Sequence, residues 1–195
     1  MSLKEILRMV LVLTLVTGIW GGLLSLVKLA TQDQIEYQRI KNVKAPALKQ
    51  AITVDYTNDP VKARKKIQVG TDEAGNPIVR NVFIAKQNNR VVAVALEGFG
   101  SGYGGDMGVM VAIKPDSKTV DGIAVTTHSE TPGVGSKAMK SDAFMGQFSG
   151  KKISAGFAPG GGIDAVSGAT YTSEGIMQGV EQATQIFSKY RNKIL

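Results

Sequence analysis

The longest hydrophobic pattern of the chain lies near its N-terminus. Residues 9–27 contain no charged side chain, whereas Arg8 precedes them and Lys28 follows them. As an α-helix this stretch is about 28 Å long, which is close to the thickness of about 30 Å of a membrane's hydrocarbon core. The run is longer than the apolar core of a signal peptide, and no convincing small-x-small cleavage motif follows it. The pattern therefore predicts a retained transmembrane helix, with a cleaved signal peptide and a buried core helix as the alternatives.

Two further features describe this helix and the segment that follows it. Gly18, Gly21 and Gly22 form a small-residue face, which predicts packing against other membrane helices. Residues 31–50 are polar with spaced apolar positions, and they predict a helical stalk that Pro46 interrupts. Because positive charges flank the apolar run on both sides, the positive-inside rule does not settle its orientation.

Farther along the chain the apolar period changes to two, which predicts strands joined by short turns. The predicted strands are residues 78–86, 91–97, 109–114 and 119–126. They pair into two hairpins and hence into an antiparallel sheet. An apolar stripe of helical period follows near the C-terminus, at Ile176, Val180, Ala183 and Phe187. We expect an α+β fold in three parts: a transmembrane anchor over residues 1–30, a helical stalk or linker over 31–67, and a folded domain over 68–195.

Composition narrows the chemistry that this domain can carry. The 195 residues include no cysteine and a single histidine, His128. Disulfides, iron–sulfur ligation, thiol nucleophiles and multi-histidine metal sites are therefore excluded, and we expect no metal site. The net charge of +7 is scattered along the chain without a recognised nucleic-acid motif. A lipid surface or an acidic partner therefore suits this charge better than nucleic acid does.

Glycine dominates the segment between the two predicted hairpins. Five of the eight residues in 98–105 are glycine, and Tyr103 and Gly104 lie near its end. A flexible linker seldom joins adjacent strands of one sheet. We therefore expect either a series of β-bulges or a backbone that approaches a ligand closely.

A small-residue segment precedes the C-terminal helix. It contains Asp164, Ser167, Gly168, Ala169 and Thr170. The free N–H groups and positive dipole end of a helix favour a phosphate, and small residues let a ligand approach the backbone. The alternative is an ordinary cap, in which Thr172 or Ser173 is the N-cap residue of a helix that begins near Ser173.

The loop after the last predicted strand has a pattern of its own. It contains Glu130, Thr131, Pro132, Gly133, Val134 and Gly135. The Pro-Gly pair predicts a type II turn with a positive φ at Gly133. His128, Ser129 and Glu130 are neighbours on this loop, and neighbours in sequence seldom converge into a hydrolytic triad. We therefore do not expect hydrolase chemistry.

Three of these segments resemble one known family, the FMN-binding domain family. Asp164-x-x-Ser167-Gly168-Ala169-Thr170 is similar to its flavinylation motif, in which a flavin transferase joins the FMN phosphate to the last threonine through a phosphoester bond. The later loop resembles the family's Glu-Thr-Pro-Gly-Leu-Gly signature with Val134 in place of leucine, and residues 98–105 resemble its Gly-Tyr-rich segment. The resemblance implies covalent FMN on Thr170. It implies further FMN-binding residues at Asp164, Ser167, Gly168, Ala169, Thr172, Tyr103, Gly104, Glu130, Thr131, Pro132, Gly133, Val134 and Gly135.

Together with the N-terminal anchor, these segments resemble the G subunit of the Rnf family of ion-translocating ferredoxin:NAD oxidoreductase complexes. The resemblance implies an electron-transfer subunit of a sodium- or proton-translocating complex without a catalytic site of its own, because the cofactor carries the chemistry. It also implies other Rnf subunits as partners and an inner or plasma membrane location, with the domain on the extracytoplasmic side. The C subunit of the sodium-pumping NADH:quinone oxidoreductase and a flavin-free, membrane-anchored binding or assembly protein are the alternatives.

Overall fold

The structure is a computed structural model that describes residues 2–133, 135–158 and 160–195, and only the backbone of Asp33 and Arg39. The chain divides into two compact units, one that ends at Ile40 and one that comprises Lys41–Leu195. A single long helix makes up the first unit, and the second contains the sheet and the C-terminal helix. The boundaries that the sequence suggested at residues 30 and 67 stay a prediction.

The first unit is helix α1, Leu3–Arg39. Ser2 caps its N-terminus in a capping box, in which the side chains of Ser2 and Glu5 each accept the backbone N–H of the other residue. Among the described residues, Leu3–Gln32 is the one segment that is long and apolar enough to cross a membrane, and its most apolar stretch is not buried within the structure. Helix α1 therefore fits a single-pass membrane anchor.

After α1 the chain makes one π-helical turn, Ile40–Lys44, and then forms helix α2, Ala45–Ala51. A five-stranded sheet follows, with β1 (Lys65–Thr71), β2 (Pro77–Gln87), β3 (Arg90–Gly102), β4 (Gly105–Lys114) and β5 (Thr119–Thr127). The strands pair in sequence order and every pair is antiparallel. The predicted α+β fold with an antiparallel sheet is confirmed. Strand β1 was not predicted. Its apolar alternation is short, since only Ile67 is buried and Val69 is partly buried against the core.

Three helices complete the second unit: α3 (Ser136–Lys140), α4 (Asp142–Gly146) and α5 (Thr170–Ile194). Helix α5 lies on one face of the sheet, where it contacts chiefly β3 and β4. Its apolar stripe, which includes Val180 and Phe187, is buried against Leu96 and Val109 in the main core. The helical stripe that the sequence predicted is therefore the face that the sheet covers.

Helix α2 packs against β4 and β5, away from α5. It buries Leu48 and Ala51, and a Cβ atom on Gly122 of β5 would lie 2.6 Å from the carbonyl oxygen of Ala51. Asp121 fixes the residues that follow α2, since its carboxylate accepts the backbone N–H groups of Thr53 at 2.7 Å and Val54 at 3.1 Å. The predicted stalk did not include this packing of its second half onto the sheet.

The glycine-rich segment is regular sheet and not a series of bulges. Residues 94–102 of β3 pair with β4 without a register shift, so the expectation of β-bulges there was wrong. The physical reason for the glycines is the closeness of α5. A Cβ atom on Gly98 would overlap the carbonyl oxygen of Gly179 and would lie 2.9 Å from the nitrogen of Ala183, and Gly100 meets Gly175 in the same way. Helix and strand are thus packed backbone against backbone, which only glycine permits.

Candidate functional site

The small-residue segment ends in the first turn of α5, which begins at Thr170. The expected cap at Thr172 or Ser173 was wrong, because the N-cap position is Ala169 and no side chain caps the helix. Gly168 has a φ of +75°, a conformation that a residue with a side chain rarely adopts. The chain enters α5 through this turn. No side chain caps the first N–H groups of the helix.

The hydroxyl groups around this turn differ sharply in their surroundings. Thr172 is 1% exposed and its hydroxyl donates to Glu130 Oε2 at 2.9 Å. Ser173 is fully buried, and its hydroxyl donates to the Ala169 carbonyl oxygen at 2.9 Å while it accepts the Val166 N–H at 3.0 Å. Thr170 is exposed, and its hydroxyl has no hydrogen-bond partner in the part of the chain that the structure describes. Thr170 therefore presents the one free hydroxyl of these three.

Thr170 lies in a cavity of about 390 Å³ at the start of α5, which we call the helix-end cavity. Its lining consists of Tyr103, Gly135, Gly168, Ala169, Thr170, Tyr171 and Thr172. Tyr103 and Tyr171 are 72% and 67% exposed, and their ring centroids are 6.4 Å apart. Both rings are therefore accessible to a ligand in this cavity. The cavity thus joins a free hydroxyl, an uncapped helix end and two exposed aromatic rings.

The loop between β5 and α3 contributes to two cavities. Gly135 lines the helix-end cavity, whereas Glu130 and Pro132 line a second one of about 370 Å³, the loop cavity, together with His128, Met139 and Lys140 among others. Thr131, Pro132 and Gly133 are exposed, and the Gly133 N–H donates to Ser136 Oγ at 2.8 Å. Gly133 has a φ of +85°, so the positive φ predicted for this turn is confirmed. Val134 lies outside the described residues.

Asp164 and Ser167 do not line either cavity. Both are exposed. The backbone of Asp164 is held by Gln147, whose side chain accepts the Asp164 N–H at 2.8 Å and donates to the Asp164 carbonyl oxygen at 3.1 Å. The structure therefore separates the predicted site residues into a group at the helix end, a group at the loop cavity and these two exposed residues.

Glu130 connects the predicted segments from a buried position. It is 6% exposed, and its Oε1 accepts the backbone N–H of Gly104 at 3.0 Å while its Oε2 accepts the hydroxyl of Thr172. The sequence placed Glu130 among the FMN-binding residues of the loop, but nothing in a pattern of residues reveals that its carboxylate is buried. Tyr171 was missed as well, although its place directly after Thr170 was a signal that could have identified it.

His128 and the acidic residues were also considered for hydrolytic or metal chemistry. The Nδ1 atom of His128 accepts the backbone N–H of Glu130 at 3.3 Å, so it is not directed at Ser129. No group of three or more His, Cys, Asp or Glu side chains that could hold a metal ion occurs among the described residues.

The helix end does fit a phosphate-bearing cofactor such as FMN. An uncapped helix N-terminus favours an anion, and no side chain caps α5. The helix-end cavity is open beside exposed aromatic rings, which suit a planar ring system.

Comparison with known proteins identifies the family of the domain. The model of the FMN-binding domain family matches residues 102–185, which include the β3–β4 turn, the loop and the start of α5. The G subunit of the proton-translocating ferredoxin:NAD(+) oxidoreductase complex of Clostridium ljungdahlii is 32% identical over 148 residues, which cover 68% of this chain and 79% of the relative. The G subunit of the ion-translocating oxidoreductase complex of Methanosarcina acetivorans is 27% identical, and the match covers 95% of this chain and 96% of the relative.

Solved structures agree on the fold. The crystal structure of Shewanella oneidensis NqrC has a TM-score of 0.51 at 24% identity, and the match covers 75% of this chain and 72% of that one. The C subunit of the Na(+)-translocating NADH-quinone reductase from Parabacteroides distasonis has a TM-score of 0.51 at 20% identity, with coverage of 82% and 95%. At these identities the likeness concerns the fold alone, whereas the G-subunit relatives match in sequence over most of the chain. The chain therefore belongs to the family of G subunits of ion-translocating (Rnf) oxidoreductase complexes, as a redox component with an FMN-binding domain.

Proposed function

We propose that this protein carries FMN on Thr170 through a phosphoester bond and relays electrons within an ion-translocating ferredoxin:NAD oxidoreductase complex. The observation that carries the proposal is the difference between the hydroxyl groups at the start of α5. Thr170 is exposed in the helix-end cavity, whereas Thr172 and Ser173 are buried and already hydrogen-bonded. Of these three hydroxyls, only that of Thr170 is accessible to a modifying enzyme.

The start of α5 suits a phosphate that is esterified to this side chain. With Ala169 at the N-cap, the first N–H groups of the helix have no side-chain acceptor, and the phosphate oxygens of FMN can take that place. We assign Gly168, Ala169 and Thr172 to the wall around the phosphate, and Tyr103 and Gly135 to the remaining wall of the helix-end cavity. Thr131, Pro132 and Gly133 then form an exposed rim beside the loop cavity.

Attachment requires a flavin transferase and a donor whose flavin phosphate is activated as a phosphoanhydride. Thr170 Oγ forms the new bond to the flavin phosphorus, the phosphoanhydride P–O bond breaks, and the departing phosphate takes up the hydroxyl proton. Asp164 and Ser167 are exposed near the attachment residue, where the transferase can contact them. Once bound, FMN supplies reversible uptake of electrons, while the protein fixes its position and tunes its potential.

A covalent bond has a physical use outside the cytoplasm, where a flavin that dissociates is not replaced from a cytoplasmic pool. We therefore place the second unit on the extracytoplasmic side of the inner or plasma membrane, with α1 as the anchor. Other Rnf subunits are the electron donors and acceptors in this proposal, which the names of the G-subunit relatives support.

The test is the location of FMN in the full chain made in cells that contain the flavin transferase. We expect a mass increase of one FMN residue on the peptide that contains Thr170, with fragmentation placing it on that residue. Thr170→Val, which keeps the branched shape but lacks the hydroxyl, is expected to carry no FMN, whereas Thr170→Ser is the matched control and retains it.

The neighbouring hydroxyls decide between attachment sites. Thr172→Val is expected to keep FMN, because the Thr172 hydroxyl is buried against Glu130. FMN on Thr170→Val, or its loss from Thr172→Val with Thr170 intact, contradicts the assignment. If no variant and no wild-type protein carries FMN, the electron-transfer proposal is wrong.

A further inference from the structure

Glu130 is buried beside the helix-end cavity but does not line it. We propose that Glu130 is a positioning residue, which holds the walls of this cavity together, and that its negative charge lowers the reduction potential of the flavin bound there. The inference rests on the proposed function. In this inference Glu130 does not contact FMN directly, in contrast to the expectation from the sequence, but lies behind the wall of the cavity.

The two carboxylate oxygens of Glu130 bind two separate segments. Oε1 accepts the N–H of Gly104 at 3.0 Å in the β3–β4 turn, and Oε2 accepts the hydroxyl of Thr172 at 2.9 Å in the first turn of α5. The residue next to Gly104, Tyr103, lines the cavity, and so does Thr172 itself. One side chain therefore sets the spacing between the hairpin and the helix end that form the cavity.

The neighbouring glycines leave room for this carboxylate. A Cβ atom on Gly102 would overlap Oε1 of Glu130, and one on Gly135 would overlap Oε2 and lie 2.7 Å from the carboxyl carbon. Since Gly135 lines the helix-end cavity, bare backbone is all that stands between the carboxylate and the cavity at this point. The negative charge thus lies directly behind the wall.

Glu130 also lacks an ion-pair partner among the described residues. Glu97 forms an ion pair with Lys44 at 2.6 Å, and Asp121 forms one with Lys114 at 3.2 Å. Glu130 has no such pair among residues 2–133, 135–158 and 160–195, although His128 and Lys140 share the loop cavity with it. An unpaired negative charge in surroundings of low dielectric opposes the addition of electrons to a neighbouring group.

Two substitutions separate the geometric part of this role from the electrostatic part. Glu130→Gln removes the charge but keeps the shape: its amide oxygen can accept the Gly104 N–H and its NH₂ group can donate to Thr172 Oγ. Glu130→Asp keeps the charge but is one methylene shorter, so it cannot reach both partners. The matched control is Glu97→Gln, because Glu97 is also 6% exposed and accepts a threonine hydroxyl, that of Thr126.

Both parts are measured on the full chain in detergent. Hydrogen exchange of the peptide that contains Gly104 is measured on flavin-free protein. We expect exchange about tenfold faster in Glu130→Asp, in line with the loss of one hydrogen bond to a charged group, and little change in Glu130→Gln. The midpoint potential is measured on flavin-loaded protein, and we expect an upward shift in Glu130→Gln that Glu130→Asp and Glu97→Gln do not share.

Each part has a result that overturns it. Unchanged exchange at Gly104 in Glu130→Asp rules out the positioning role. A midpoint potential in Glu130→Gln equal to that of the wild type, or matched by Glu97→Gln, rules out the electrostatic role. If the wild type itself carries no flavin, the proposed function fails together with the electrostatic role, while the exchange measurement on flavin-free protein still decides the positioning role.

Discussion

Two long helices of this chain contain glycines, and the glycines have opposite surroundings. In α1, Gly18, Gly21 and Gly22 have no atom within 4 Å of where a Cβ atom would stand. In α5, a Cβ atom on Gly179 would lie 2.8 Å from Val109 Cγ2, and one on Gly175 would lie 2.9 Å from Met107 Sδ. Each glycine destabilises a helix by about 1 kcal/mol relative to alanine. In both helices we therefore expect close packing at the glycines to offset this loss of stability.

The difference shows where each helix finds its packing partner. Helix α5 is amphipathic, and its glycines let it meet the backbone of β3 inside the same domain. Helix α1 buries none of its most apolar stretch within the structure. The packing of its glycines against other membrane helices stays a prediction. The glycines of α5 thus make contacts inside its own domain. The glycines of α1 are available for contact with lipid or with other chains.

Removing α1 is expected to have the largest effect, and it acts on location and not on folding. Deletion of residues 2–28 should move the protein from the membrane fraction to the soluble fraction, because the apolar surface that needs lipid is gone. The remaining domain should keep its circular dichroism spectrum, since the sheet and α5 form their own core. Full-length protein that is soluble without detergent would contradict the role of α1 as an anchor.

The glycine contacts of α5 give the second prediction. Gly98→Ala is expected to destabilise the domain by about 3 kcal/mol, because the new methyl group forces α5 away from β3. For a chain of this size, thermal unfolding should fall by about 10 °C.

The matched control is Gly21→Ala in α1, where the same methyl group meets open space. We expect no change in the unfolding temperature of the domain in that variant. If Gly98→Ala and Gly21→Ala lowered the unfolding temperature equally, the proposed difference in glycine packing between α5 and α1 would be wrong.

The same contrast explains what the sequence could and could not predict. Long periodic segments were predictable, because α1 has a long uncharged apolar run and α5 has a clear stripe at Ile176, Val180, Ala183 and Phe187. The strands that follow short turns, such as β4 and β5, were predictable from their apolar period. The reason for the glycines in 98–105 was not predictable, since it depends on how closely a helix far along the chain approaches that strand.

The candidate site divides in a similar way. The segment that ends in Thr170 was recognisable, because its residues are contiguous and resemble a known motif. The burial of Thr172 and its bond to Glu130 were not recognisable, because the two residues are distant in sequence and meet only through the fold. The interpretation of Thr172 as the cap of the helix failed because α5 begins two residues earlier, at Thr170, with Ala169 at the N-cap position.

Asp121 of β5 makes a buried contact outside α5, and we expect its substitution to destabilise the domain as substitutions at the buried contacts of α5 do. Asp121 is fully buried. Burial raises the pKa of its carboxyl, but the hydrogen bonds from Thr53, Val54 and Lys114 outweigh burial and hold the pKa below its usual value. Asp121→Asn should destabilise the domain by about 2 kcal/mol at neutral pH, because the new NH₂ group faces donors. Because the folded-state pKa is depressed, the carboxylate stabilises the fold above pH of about 4, and that contribution is lost as the pH falls through the folded-state pKa.

The measurement is urea unfolding of both proteins between neutral pH and pH of about 3, where the difference between them should narrow only at the acid end. Asp72→Asn is the control, since Asp72 is exposed in a hairpin turn and its pKa is lowered mainly by the side chain of Asn76. A constant difference across this range would show that the charge of Asp121 is not the cause.

The hydroxyl groups of Ser173 in α5 and Thr17 in α1 also differ in their surroundings, and we expect smaller changes in stability from their removal. Ser173 of α5 is fully buried, and its hydroxyl makes two hydrogen bonds, so Ser173→Ala should cost about 1 kcal/mol. Thr17 of α1 bonds only to carbonyl oxygens of its own helix, at 2.8 Å and 3.2 Å. Thr17→Ala should leave domain stability unchanged in the same denaturation experiment. A loss in Thr17→Ala as large as that in Ser173→Ala would contradict the assignment of these costs to burial.

The smallest effect on stability is expected at Tyr171, which lies on α5 but not on its buried face. The ring is 67% exposed and lines the helix-end cavity, so Tyr171→Ala should change the free energy of unfolding by less than about 0.5 kcal/mol. The same substitution should alter the visible absorption of bound flavin, because the proposed site places the cofactor in that cavity, while Tyr171→Phe keeps the ring and should resemble the wild type. A large loss of stability in Tyr171→Ala would mean that this side chain supports the fold. An unchanged flavin spectrum in both variants would remove Tyr171 from the site and would leave Tyr103 as the only aromatic wall of the cavity.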